Sequence, residues 1–170
     1  MTATSLRHRM SGTAAVEFAL VFPVVFLMLY GLISFGAILY TQLAVSRAVS
    51  DGARAAGLLL PPAEEESRDY ERVKTEVIES LANSAIVPPA SNRSFALRRA
   101  WLESHVRARI AVQEAPCAAT VAGTCATITL SFPYGNDDGT RLMPAINIPG
   151  IGGTESWLPN ALVSAAIVRL

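Results

Sequence analysis

The feature that most constrains this chain is a long run of almost entirely apolar residues from Phe18 to Tyr40, which reads FALVFPVVFLMLYGLISFGAILY. No charged residue occurs between Glu17 and Arg47. A bilayer core is crossed by about 20 apolar residues in a helix, and the lack of water there forces the backbone to satisfy its own hydrogen bonds. The run therefore predicts one transmembrane helix over residues 18–40, with Phe18 and Tyr40 at its ends.

The residues before the run predict its orientation. Arg7, His8 and Arg9 form a short basic leader, and basic flanks of membrane helices are retained in the cytoplasm. The rest of the chain is then expected on the opposite side, although Arg47 and Arg54 beyond the run reduce the asymmetry of charge. A cleaved secretory signal is the alternative, but its apolar core spans about 7–15 residues, and this run is roughly twice as long.

Composition narrows the function, and the two cysteines suggest a cross-link. The chain has 14 basic and 14 acidic side chains and no net charge, so nothing favours binding to nucleic acid. Seven residues separate Cys117 from Cys125, a spacing that suits a disulfide closing a short loop. A metal site would need two further ligands, and His105 is the only histidine nearby in sequence, so the disulfide is the favoured interpretation.

The stretch from Ser11 to Phe18 carries the most specific motif. It reads SGTAAVEF: Gly12 ends the basic leader, Glu17 follows five residues later, and Phe18 opens the apolar run. An acid in the hydrocarbon costs on the order of 3 kcal/mol at full depth, so a compensating partner is expected. Taken singly, Glu17 has a simpler explanation as an interfacial acid that reaches the headgroups, and Gly12 as a loose leader residue. The spacing, together with Phe18, favours a processing motif.

This segment resembles the type IV pilin-like proteins and, among them, the TadE family of the tight-adherence (Flp) pilus machinery. Further matches follow in the family's order along the chain. They are Phe35-Gly36, Asp51-Gly52-Ala53-Arg54, the segment 128–134 that ends in Phe-Pro-Tyr, and Leu142-Met143-Pro144. The chain departs from many relatives at Ser34, where they carry an acid, and at Ala37, where they often carry a basic residue.

The resemblance implies that a prepilin peptidase cuts between Gly12 and Thr13, and that Glu17 and Phe18 lie at the contact with a neighbouring subunit, where the acid meets a new N-terminal amine. It also implies a bacterial inner-membrane protein with a periplasmic head. The implied partners are other pilin-like subunits, assembly-platform proteins and membrane lipid. The implied function is that of a pseudopilin-like component that helps assemble the pilus through contacts, without catalysis, cofactor or metal.

Two other functions compete with this one. An uncleaved, anchored scaffold of an envelope secretion channel is the alternative, and it would keep its first 12 residues. A membrane-tethered enzyme would need a convergent polar site, and neither histidine, His8 or His105, has a nucleophile pattern around it.

The predicted fold class is α+β, in three parts: a cytoplasmic leader (1–12), a helix (13–57) that contains the span, and a periplasmic head (58–170). Small apolar residues continue the helix past the span until Gly57 and the Pro61-Pro62 pair end it. A helix from residue 13 to 56 would be about 65 Å long.

A second helix and a small antiparallel sheet are predicted in the head. The helix, over 64–84, has apolar residues at helical spacing; they are Tyr70, Val73, Val77 and Leu81. The sequence of residues 94–105 is ambiguous; a short helix capped by Ser94 is one interpretation. Strands are predicted over 106–113 and 127–132 from their alternation, and over 162–168 as a more fully apolar strand.

Several remaining features favour structural over functional interpretations. Asn136-Asp137-Asp138-Gly139 is predicted to form a turn, because the rest of a calcium loop is missing. Gly150 to Gly153 lies in a Pro/Gly-rich loop and does not open a helix, so a phosphate cradle is not indicated. Trp101 and Trp157 are predicted to be core or contact residues.

Overall fold

The structure is a computed structural model, and it describes residues 10–58, 70–84, 86–117, 123–135, 147–148, 152–153 and 159–170. The chain divides into two compact units, Met1–Leu39 and Tyr40–Leu170, which are called the anchor unit and the head unit below. Helices and a small antiparallel sheet are both present, which confirms the predicted α+β class.

Helix α1 runs from Met10 to Gly57 and contains Pro23. The apolar run is helical throughout, as the backbone argument requires, and the helix ends at the glycine that was expected to stop it. The most apolar 18-residue window of α1 has no buried residue. This part of the helix is therefore not packed in the core of a globular domain, whereas Val45 and Val49 further along α1 are fully buried.

Two further α-helices belong to the head unit. Helix α2 is Glu71–Asn83, and Val73, Val77 and Leu81 are fully buried on its inner face. Tyr70 precedes the helix, and the predicted helical residues 64–69 lie outside the described residues. Helix α3 is Phe95–His105.

Helix α3 begins at the position where the sequence suggested a short helix capped by Ser94. The Ser94 side chain accepts a hydrogen bond from the Leu97 N–H, which satisfies one of the free donors of the first helical turn. A 3₁₀ turn, Arg107–Arg109, follows α3.

The main sheet has three strands in the order β1-β2-β5, both pairs antiparallel. The strands are β1 Ile110–Pro116, β2 Thr124–Pro133 and β5 Ala161–Arg169. A separate pair joins β3 Asn147–Ile148 to β4 Gly152–Gly153. Along β2, residues 126, 128, 130 and 132 are buried and alternate with half-exposed ones, so the alternation predicted the inner face of this strand.

The predicted start of the first strand is wrong. The Val106 N–H donates to the Leu102 carbonyl at 2.8 Å, and residues 107–109 form the 3₁₀ turn before the strand starts at Ile110. Val106 is buried as predicted, but it is buried as the end of α3. Alternation over so few residues does not separate a strand from a helix end followed by one tight turn.

The third strand is less buried than its apolar sequence suggests. Leu162 is buried, whereas Val163 and Ile167 are 58% and 70% exposed. One face of β5 therefore packs in the head and the other is open. The turn expected at 136–139, Trp157 and the Leu142-Met143-Pro144 segment all lie outside the described residues.

Candidate functional site

The residues that flank the expected cleavage point lie in the first turn of α1. Gly12 is exposed, and a Cβ built on it meets no other atom within 4 Å. The first four N–H groups of a helix have no partner within the helix, and glycine is about 1 kcal/mol less favourable than alanine in a helix. The peptide bond between Gly12 and Thr13 is thus accessible, and local unfolding of the helix around it costs little free energy.

Glu17 lies one helical turn beyond Thr13. Residues four apart share a helix face and are separated by about 6 Å along the axis. Glu17 is exposed and forms no hydrogen bond or ion pair with any described residue. Since the next charge along the chain is Arg47, the carboxylate is available to a partner from outside this part of the chain.

Phe18 begins a short aromatic ladder on the anchor helix. Its ring centroid lies 5.3 Å from that of Phe22, which lies 6.2 Å from that of Phe26. Phe18 itself is 67% exposed. The segment 18–40 has a helical length of about 34 Å, against a hydrocarbon core of about 30 Å. One long apolar helix of this kind fits a membrane anchor.

The Asp51-Gly52-Ala53-Arg54 motif fastens α1 to α2. A Cβ added at Gly52 would overlap the Val77 side chain, so the two helices approach closely at this glycine. Asp51 accepts a hydrogen bond from the Ser80 hydroxyl at 2.7 Å and lies 3.7 Å from Arg54. This motif therefore has a packing role within the head unit.

Two side chains of α1 hold the opposite end of the head unit together. The Tyr40 hydroxyl donates to the Ser84 carbonyl at 2.9 Å, and the Gln42 amide donates to the Val163 carbonyl at 3.3 Å. Arg98 of α3 in turn donates to the Ala82 carbonyl at 2.7 Å. The end of α2 and the starts of α3 and β5 are thus gathered around the first turn of α1 within the head.

An ionic cluster joins the start of α2 to the 3₁₀ turn. Glu71 is bonded to both Lys74 and Arg107, at 2.7 and 2.6 Å, and Arg107 also bonds Glu103 at 2.6 Å. The hydrogen bond from Lys74, followed by that from Arg107, lowers the pKa of Glu71 from 4.5 to about 2. The hydrogen bonds to Glu71 and Glu103 raise the pKa of Arg107.

Cys117 and Cys125 are joined by a disulfide, with their Cα atoms 5.0 Å apart. The Cys117 N–H donates to the Gly123 carbonyl at 3.0 Å, and Gly123 has a φ of 130°, a conformation that favours glycine. The bond closes the hairpin between β1 and β2, as the sequence predicted. The thiols are therefore not metal ligands, and no cluster of metal-binding side chains occurs among the described residues.

A serine and a histidine meet at the end of α3, a contact that the sequence did not indicate. The Ser104 hydroxyl lies 2.7 Å from Nδ1 of His105, but the hydroxyl also donates to the Trp101 carbonyl, and the same Nδ1 lies 3.0 Å from that carbonyl. The His105 ring is stacked on Trp101 at 4.7 Å. Both groups are thus engaged in ending the helix, and no carboxylate among the described residues orients the imidazole as a base.

The Phe-Pro-Tyr segment of the predicted tail motif lies in the core of the head unit. Phe132, Pro133 and Tyr134 are all buried, and the Phe132 ring centroid lies 6.4 Å from that of Trp101. The Tyr134 N–H donates to the Asn160 carbonyl. These residues therefore stabilise the head and do not form an exposed site.

The remaining head-unit residues gathered near Tyr40 form a polar cleft of about 420 Å³. It is lined by Tyr40, Arg47, Asp51, Ser80, Asn83 and Ser84. The cleft depends on contacts between residues about 40 positions apart, such as Tyr40 and Ser84. In the sequence, only Tyr40, at the end of the apolar run, indicated a polar cleft at this position.

Comparison with known proteins gives one informative result. No curated protein and no solved structure matches the chain. A family model does match, over residues 12–54, which include Gly12, Glu17 and the whole of the Asp51-to-Arg54 motif. The match confirms the resemblance on the segment that carries its most specific motifs: residues 12–54 match the family described as TadE-like protein.

Proposed function

We propose that the chain is a pseudopilin-like component of a tight-adherence pilus system, anchored in the bacterial inner membrane with its head in the periplasm. It acts through contacts with other pilin-like subunits and with the assembly platform, and it catalyses no reaction. A prepilin peptidase removes residues 1–12, and Glu17 of the processed chain contacts the Thr13 amine of a neighbouring subunit.

The observation that carries the proposal is the family match over residues 12–54, because it begins at the glycine of the expected processing motif. Three features of the structure support it. Gly12 is exposed in the first turn of α1, Glu17 has no partner among the described residues, and the most apolar window of the anchor helix has no buried residue. Cleavage by a peptidase needs the first of these features, and lateral contacts between subunits need the other two.

The processing step gives the sharpest test. The protein is co-expressed with a prepilin peptidase and extracted from the membrane fraction. Its N-terminus is then read by mass spectrometry. We expect the mature chain to begin at Thr13. An intact leader would favour the uncleaved scaffold of a secretion channel, and a start within residues 37–46 would indicate an ordinary signal peptide.

A substitution at Gly12 separates recognition from folding. Gly12→Leu is expected to abolish cleavage, while the span still inserts, because no described atom lies near enough to clash with a side chain there. Gly31→Leu, at a second glycine of α1 with open space around it, is the matched control and should be processed like the wild type. Equal cleavage of both variants would contradict the assigned site.

A further inference from the structure

We infer that the end of the head unit around Tyr40 is a second membrane contact, which binds the anionic headgroups of the bilayer that holds the span. This surface, called the proximal surface, consists of Tyr40, Arg47, Asn83, Ser84 and the segment 89–97. The inference rests on the proposed membrane anchorage of residues 18–40. The proposed function assigns the head only contacts with other proteins, whereas this inference assigns it a contact with lipid.

The position of this surface follows from hydrogen bonds within the head unit. Tyr40 is the first residue of the head unit and the last residue of the apolar run. Its hydroxyl binds the Ser84 carbonyl, and Arg98 binds both the Ala82 carbonyl and the Asn92 side chain. The end of α2, the loop after it and the start of α3 therefore surround the point where the chain leaves the apolar run.

The charges of this surface suit an anionic layer. Arg47 and Arg93 are exposed, and neither forms an ion pair or hydrogen bond with a described residue. The nearby acids are engaged, since Asp51 binds Ser80 and Arg54, and Glu79 lies 3.5 Å from Arg99. The net charge presented here is thus positive, although the chain as a whole is neutral.

The apolar residues of this surface suit the region just below the headgroups. Phe95 and Leu97 are 43% and 48% exposed at the start of α3, and the Arg98 guanidinium lies 5.9 Å from the Phe95 ring centroid. Tyr40 adds an aromatic ring with its hydroxyl bound to the protein. Exposed aromatic and aliphatic side chains next to unpaired arginines are the composition of helices that lie in a membrane interface.

The opposite end of the head provides a contrast within the same fold. There, Glu71 is bonded to Lys74 and Arg107. Ala108 is exposed at that end, in the 3₁₀ turn, while Ala96 is exposed on the proximal surface. The two alanines lie near opposite ends of α3, a helix about 16 Å long, and they therefore form a matched pair of probe positions.

The experiment uses the full chain in lipid nanodiscs. A bimane fluorophore is placed on Ala96→Cys or on Ala108→Cys, and quenching by a headgroup-labelled nitroxide lipid is measured in phosphatidylcholine alone and with phosphatidylglycerol. We expect strong quenching at position 96 in the anionic bilayer, severalfold weaker quenching there in phosphatidylcholine, and little at position 108 in either. Raising the salt concentration from 0.1 to 1 M shortens the screening length from about 10 to about 3 Å and should reduce the quenching at position 96.

Substitutions test which side chains are responsible. Arg47→Gln with Arg93→Gln should remove the dependence on anionic lipid, and Phe95→Ser with Leu97→Ser should reduce quenching in both bilayers. The control pair is Arg72→Gln with Arg109→Gln, two exposed arginines without a described partner at the opposite end, which should behave as the wild type. Near-UV circular dichroism checks that each variant keeps its fold.

The outcomes separate this inference from the proposed function. Equal quenching at both positions, or none at position 96 in a chain that has entered the nanodisc, overturns the lipid contact and leaves the anchorage intact. Quenching that does not depend on anionic lipid also overturns it. Failure of the chain to enter nanodiscs at all contradicts the anchorage itself, and with it the proposal on which this inference rests.

Discussion

Glu17 is the residue whose environment is least explained by the chain itself. An unpaired carboxylate at the edge of an apolar span is unfavourable, and the described residues offer it no partner. An ammonium on Thr13 of a neighbouring subunit would offset the cost of both charges, because opposite charges attract strongly in a medium of low dielectric constant. The gain depends on bringing the two groups into hydrogen-bonding distance.

Glu17→Ala should therefore be inserted and cleaved normally but fail to associate with other pilin-like subunits. The measurement is subunit crosslinking in the membrane, together with pilus counts in a strain that carries the variant. Glu17→Gln keeps the size and removes the charge, so it should fail in the same way. Wild-type crosslinks and pili in both variants would reduce Glu17 to an incidental flanking acid.

Gly52 is the residue on which the packing of α1 against α2 depends most directly. Its added Cβ would overlap Cγ2 of Val77, and a valine in a helix has little freedom to rotate away. Gly52→Ala should destabilise the head by about 1–3 kcal/mol through overpacking, less the roughly 1 kcal/mol gained from helix propensity. Thermal unfolding in detergent, followed by near-UV circular dichroism, measures the difference.

A second substitution identifies the cause of that loss. In the Gly52→Ala background, Val77→Ala should cost less than it does alone, because it removes the overlapping methyl groups. Gly36→Ala adds a methyl group where no atom lies within 4 Å and should leave the unfolding of the head unchanged. Strictly additive effects of the Gly52 and Val77 substitutions would argue against a close contact.

At the scale of elements, the sequence predicted those parts whose signal is local and repeated. The long apolar run is one continuous signal, the buried positions of α2 recur at helical spacing, and those of β2 recur at every second residue. The predicted strand start at Val106 was wrong, because two apolar residues at that spacing fit a helix end equally well. The site contacts were harder still, because Tyr40 with Ser84 and Asp51 with Ser80 join residues 44 and 29 positions apart, and no local pattern encodes such pairs.

The junction of α2 with the 3₁₀ turn should be sensitive to acid. Because hydrogen bonds from Lys74 and then Arg107 lower the pKa of Glu71 from 4.5 to about 2, its ionised form stabilises the fold above pH 4.5. That contribution is lost as the pH falls from 4.5 through about 2. The side chain is more than half exposed, so salt should weaken the effect.

The prediction is tested by comparing unfolding midpoints across that pH range. Glu71→Gln should be less stable than the wild type at neutral pH, and the difference should shrink as the pH falls towards 2. Glu76→Gln, on the same helix and without an ion pair or hydrogen bond to a described residue, is the control and should show no such convergence. A constant difference at all pH values would assign the effect of Glu71 to something other than its charge.

At the scale of the whole molecule, the disulfide and the basic leader constrain the topology from opposite ends of the chain. The Cys117–Cys125 bond persists in an oxidising compartment and is rare in the cytoplasm. The leader, with Arg7 and Arg9, favours the cytoplasmic side. The two features agree only if the membrane lies between them, as the one candidate span among the described residues allows.

The redox state of the cysteines therefore reports the orientation of the head. Alkylation of the denatured protein should add no label before reduction and two labels after it. Replacing Arg7 and Arg9 with alanine removes the arginines that are expected to keep the leader in the cytoplasm, and Arg47 and Arg54 then favour the opposite orientation. In that variant, a fraction of chains should carry two free thiols, and an impermeant reagent applied from the periplasmic side should not reach them. Fully oxidised cysteines in that variant would mean that the leader does not set the topology. Free thiols in the wild type would place the head in the cytoplasm and contradict the proposed assembly role.

Cys117→Ser with Cys125→Ser should lower the free energy of unfolding by about 2.5 kcal/mol, as expected from the chain entropy of so short a loop.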